Sequence, residues 1–95
     1  SGEALNLMRK VNDIQRDYLH RLAKVNWKRA QIAAASNDVK KADEGYYVAT
    51  QRYLQAMGQS VEGRRELIAR EFFILKEEIA KWQAQKTLLT DADGS

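Results

Sequence analysis

The sequence predicts an all-α fold, an antiparallel coiled-coil-like helical hairpin made of a long helix, a short turn and a shorter helix. Proline is absent from all 95 residues, so nothing forces a helix to end by losing an N–H and clashing with the turn before it. Large apolar residues recur at every seventh position along most of the chain, the spacing of a helix that packs lengthwise on another. A segment bounded by Gly58 and Gly63 separates two such rows, and a connection this short lays successive helices antiparallel.

Ser1-Gly2 and residues 91–95 read as tag, linker or disordered sequence and lie outside the predicted fold. A single helix is expected over about 3–57. Val11, Tyr18, Val25, Ile32, Val39, Tyr46 and Tyr53 form an unbroken row at a-type heptad positions. Three residues further on, the d-type positions carry Ile14, Arg21 and Lys28, then Ala35, Ala42, Ala49 and Ala56. Small residues there let a partner helix approach closely, with the large a residues filling the space beside them. Ser36-Asn37-Asp38 is an N-cap cluster by composition, and a break there would make a three-helix bundle instead. The row keeps its phase from Ile32 through Val39 to Tyr46, which favours continuity. A helix of that length spans about 80 Å at 1.5 Å per residue.

The turn is expected at 58–60. Gly58 suits the left-handed residue that ends a helix, and Ser60 suits the N-cap of the next. A second helix over about 60–88 follows from Val61, Ile68, Leu75, Trp82 and Leu89, again seven apart. Phe72 and Ile79 share that face, and Leu67 and Ile74 widen it. Gly63 falls in the opening turn and weakens it.

The second helix covers only the half of the first nearest the turn, yet residues 19–35 are apolar on two sides. His20, Ala23, Trp27, Ala30 and Ala34 form an additional stripe. A tryptophan set between alanines on a helix flank predicts a partner: a third helix if the chain folds back near Ser36, otherwise another chain. Trp27, Ala23, Ala30 and Ala34 are therefore candidate partner-binding residues, and a homo-oligomer is expected. Arg21, Lys24 and Lys28 line up beside them, a cationic face for a partner and, as an alternative, for the phosphates of nucleic acid or an anionic membrane.

Chemistry is sparse. Sixteen Lys and Arg against thirteen Asp and Glu give a net charge of +3, short of a dedicated nucleic-acid binder. Without cysteine there is neither disulfide nor thiolate metal site, and the compartment stays open between cytoplasm and periplasm. No apolar run approaches membrane-spanning length. Asp13, Asp17 and His20 share a face, and Asp17-x-x-His20 has the geometry of half a carboxylate–histidine metal site, but the single histidine cannot complete one, and the trio reads as solvated surface. Glu77-Glu78 likewise reads as facing solvent beside Lys76 and Lys81. The run Gly58 to Arg65 has the glycine spacing of a phosphate loop without its lysine or a preceding strand, so Gly58, Ser60, Gly63, Arg64 and Arg65 are read as a helix–helix turn. No catalytic residue, metal or cofactor is predicted. The expectation is a non-catalytic protein-interaction or scaffolding module.

Two stretches carry a resemblance. One is Asp17-Tyr18-Leu19-His20-Arg21-Leu22-Ala23-Lys24-Val25-Asn26-Trp27-Lys28-Arg29-Ala30-Gln31-Ile32. The other is Arg52-Tyr53-Leu54-Gln55-Ala56-Met57-Gly58, followed by Leu67-Ile68-Ala69-Arg70. They resemble the periplasmic helices and helical tip of TolC-like outer-membrane efflux and export channels. The resemblance implies a cell-envelope channel or secretion component whose turn docks on the helical hairpin of a periplasmic adaptor. The sequence departs from that pattern at Gln59, where an apolar residue is expected, at Gly63 and Arg64, which crowd the return, and in the spacing to Leu67.

Overall fold

The computed structural model describes residues 1–92. The chain forms three helices: α1 (Gly2–Ala35), α2 (Val39–Gly58) and α3 (Glu62–Ala92). No strand occurs among the described residues. α1 packs mostly against α2, and α3 lies chiefly along α2. Ala30 faces Gly45 and the His20 ring faces Tyr53, so α1 and α2 run antiparallel. Tyr53 meets Glu71 and Tyr46 meets Glu78, so α3 runs antiparallel to α2 and parallel to α1.

The single helix expected over 3–57 is divided at Ser36–Asp38. Asn37 adopts φ 59°, the left-handed region, which asparagine tolerates better than most residues. The Asp38 N–H donates to the Ala33 carbonyl at 2.9 Å and the Asn37 N–H to Ala34 at 3.1 Å, closing α1 with a Schellman-type pattern. The Asp38 carboxylate then accepts from the Lys41 N–H at 3.2 Å and caps α2. The preserved seven-residue phase therefore does not mean a preserved face. In α2 the row is inside, with Tyr46 and Tyr53 buried beside Ala42, Ala49 and Ala56. In α1 the buried residues are Arg16, Ala23, Ala30 and Ala33, while Val11, Tyr18, Val25 and Ile32 point outward. Ala35, the first alanine of the expected seam, is exposed.

Small residues let the first two helices meet closely. A β-carbon added to Gly45 would sit 2.8 Å from the Ala30 β-carbon and 2.9 Å from its backbone. On α3 a separate row carries the apolar burial. Ile68 and Leu75 are fully buried and Trp82 nearly so, each worth about 1.5–3 kcal/mol when removed from water.

The second turn differs from expectation. Gly58 is the last helical residue and is not left-handed; Gln59 closes α2 with φ −102° and ψ 9°. Ser60 does not cap α3. Its buried hydroxyl donates back to the Ala56 carbonyl at 2.7 Å. Arg65 binds the turn from the other side, donating to the Met57 and Ser60 carbonyls at 3.2 and 2.9 Å. α3 starts at Glu62 and continues past the expected limit at 88. Ser1 caps α1 by accepting from the Ala4 N–H, so residues 1–2 begin a helix. Of the terminal segment set aside as tag or linker, 93–95 lie outside the described residues.

Candidate interaction surfaces

The inner surface is organised by two carboxylates one heptad apart on α3. Glu71 accepts from Tyr53 Oη at 2.9 Å and lies 2.9 Å from His20 Nε2. Glu78 accepts from Tyr46 Oη at 2.8 Å, from Trp27 Nε1 at 2.7 Å and from the Gln31 amide at 3.0 Å. Each glutamate thus touches both α1 and α2. The arrangement repeats because His20 and Trp27, Tyr46 and Tyr53, and Glu71 and Glu78 are all seven residues apart, which returns them to the same side of their helices after two turns. A third link runs from α3 to α2: Trp82 Nε1 donates to Asp43 at 2.8 Å, and Lys86 pairs with the same carboxylate at 3.1 Å.

The ionisation of these groups fits their contacts. Burial pushes the Glu71 carboxyl up, but the His20 and Tyr53 hydrogen bonds outweigh it and hold the group below its usual value. Burial, and then the neighbouring carboxylates, push Tyr46 and Tyr53 well above the ordinary phenol range. Each carboxylate takes bonds from two helices at once, so the pair act as clips between helices. No group of three or more His, Asp or Glu converges as a metal site among the described residues.

Several expected site residues are found elsewhere than their sequence reading put them. Ala23 and Ala30 are fully buried between α1 and α2, and Ala34 is partly buried. Trp27, for which the sequence offered a third helix or another chain, meets the third helix: its Nε1 donates to Glu78 of α3 at 2.7 Å, and its ring packs edge-on to Tyr53 at 6.1 Å. His20 is not solvated surface, since it is bound to Glu71 and stacked near Tyr53. Its supposed companions Asp13 and Asp17 instead grip Arg16, whose guanidinium is 2.9 and 3.0 Å from them and 9% exposed. The Arg16 guanidinium holds the Asp17 carboxyl below its usual range. Glu78, read as solvent-facing, takes bonds from Trp27, Gln31 and Tyr46. Arg21, Lys24 and Lys28 are exposed, as are Gly63 and Arg64. The pattern alone does not single out Glu71 or Asp43, and it places Tyr46 and Tyr53 in the apolar seam without their hydroxyl bonds; the shared seven-residue spacing of polar and aromatic pairs was the available signal.

A second surface lies outside the first. Along α1, Leu7, Val11, Ile14, Tyr18, Val25 and Ile32 are 47–68% exposed. This row borders shallow grooves between α1 and α2, one lined by Asn26, Arg29, Ile32, Lys41 and Val48 and the other by Tyr18, Gln55 and Gln59. No described helix is long and apolar enough to cross a membrane. No protein-family model matches the chain, and comparisons with curated proteins and with solved structures return no match.

Proposed function

We propose that this protein is a non-catalytic three-helix bundle that binds a protein partner by packing helix on helix. The bundle reading, rather than a hairpin with an appended helix, rests on Glu71 and Glu78, each of which bridges α1 and α2. One observation carries the functional reading: the exposed row Leu7, Val11, Ile14, Tyr18, Val25 and Ile32, spaced as a packing seam yet uncovered. A helix laid along it would bury these side chains and add a fourth member beside α1 and α2, the helix-in-groove mode of recognition.

Affinity capture from native extract tests this with the parent chain and a Val11→Lys/Val25→Lys double variant. Both positions are exposed, so the variant should keep its helicity and melting temperature. A partner held by the parent and lost by the variant supports the seam. Equal capture by both, or no capture by the parent, contradicts it. Salt-sensitive binding to anionic vesicles or an oligonucleotide would assign the function to Arg21, Lys24 and Lys28 instead.

A further inference from the structure

We propose that α3 exchanges between two copies of this chain: the turn after α2 straightens, α2 and α3 become one helix, and each α3 docks in the α1/α2 groove of the partner. The occupant is a second copy because the groove already accepts this helix. Its donors, His20 and Tyr53 at one level and Trp27 and Tyr46 at the next, receive Glu71 and Glu78, and these pairings are the same whether α3 arrives from its own chain or another.

Three observations carry the exchange. The two turns are built differently. The first holds a left-handed Asn37 and an Asp38 cap, and cannot straighten without undoing both. The second contains no left-handed residue: Gly58, Gln59, Ser60 and Val61 all lack a positive φ, and Gln59 sits in the bridge region at φ −102° and ψ 9°. Straightening it requires loss of the Arg65 hydrogen bonds to Met57 and Ser60, whereas the Ser60 hydroxyl bond to Ala56 spans i to i−4 and fits a continuous helix; short hinges of this kind can swap.

The register fits as well. Tyr46 with Glu78 and Tyr53 with Glu71 both centre on Glu62, so two straightened helices would run antiparallel about a two-fold axis at the turn itself. Finally, α1 is longer than its partners. His20 and Trp27 pair with α3 residues 51 positions later, so residues 5–15 of α1 register with 56–66, where the closed chain turns away. All of 5–15 are exposed, including Leu5 and Met8 on the face of Ala23 and Ala30. In the exchanged dimer a continuous helix from the partner runs past them.

The inference does not rest on the outer α1 row, and the test separates the two. Each protein is refolded from denaturant at high concentration and its mass read by size-exclusion light scattering. The parent should yield a dimer that persists on dilution, because separation requires undocking α3. Glu62→Pro should remain monomeric: proline suits the first position of α3 but would break a helix running through it. Ser60→Ala/Val61→Ala places helix formers where only the straightened form is helical. It should raise the dimer-to-monomer ratio roughly tenfold, about 1.4 kcal/mol. Val11→Lys/Val25→Lys should dimerise as the parent does. A parent that refolds only to monomer, a dimer that survives Glu62→Pro, or an alanine pair without effect would each overturn the exchange.

Discussion

Gly45 is the residue on which the α1/α2 contact depends most, because any β-carbon there runs into Ala30. Alanine normally improves a helix interior by up to about 1 kcal/mol relative to glycine. At Gly45 the overlap with Ala30 should reverse that sign. Gly45→Ala is expected to destabilise by ~1–3 kcal/mol, the usual cost of overpacking, while Gly63→Ala, which meets nothing within 4 Å, should be neutral or stabilising. Urea denaturation of both variants checks the pair, and a Gly45→Ala protein more stable than the parent would show that the two helices separate freely. The carboxylates act at the same scale. Glu78→Gln keeps an acceptor but loses the charge that strengthens bonds from Trp27, Tyr46 and Gln31, and should cost about 1 kcal/mol.

At the scale of elements, the connection after α1 depends on one residue in a rare conformation. Asn37→Val sets a β-branched side chain at positive φ and should destabilise by roughly 1–2 kcal/mol, whereas Asn37→Gly should be tolerated. Equal melting temperatures for the two would place the left-handed turn elsewhere. The same residue marks where the sequence misleads. Composition, the absence of proline and the heptad spacing made the helices legible, and the alanines at 42, 49 and 56 did mark a close contact. The break at Ser36–Asp38 was legible only as the less favoured alternative, because asparagine enters the left-handed region without a glycine to advertise it, and because α2 reverses direction while the row keeps its phase. The outward turn of Val11, Tyr18, Val25 and Ile32 was hidden for the same reason: two apolar stripes occupy α1, and spacing alone cannot say which one α2 covers. Glu71 and Glu78 were illegible since a glutamate beside lysines on a helix has the same local pattern whether it is solvated or clipped across a groove. Ala42→Leu or Ala49→Leu, both at fully buried positions, should cost ~1–3 kcal/mol by overpacking.

For the whole molecule, the attachment of α3 should depend on pH at both ends of the scale. Glu71 is more acidic in the folded chain than its ordinary value of 4.5. Its contribution is therefore complete above that value and is lost as pH falls through the lower folded one. Tyr46 and Tyr53 are raised from 10.0, so theirs is complete below pH 10 and declines as pH rises further. Melting temperature should form a plateau between these limits and fall on either side, and Glu71→Gln should flatten the acid limb. An acid limb of unchanged steepness in that variant would remove Glu71 from the account.

Glu71 and Glu78 add to the burial of Ile68, Leu75 and Trp82 in holding α3 to α1 and α2, over an α1/α2 pair packed independently through alanine and glycine. Native-state amide hydrogen exchange on Glu71→Gln/Glu78→Gln measures this directly, since local opening is read helix by helix. The account predicts exchange about ten- to hundredfold faster across α3, equivalent to ~1.4–2.8 kcal/mol, with the amides around Ala30, Gly45 and Ala49 protected as in the parent. Uniform acceleration in all three helices, or unchanged protection of α3, would contradict it.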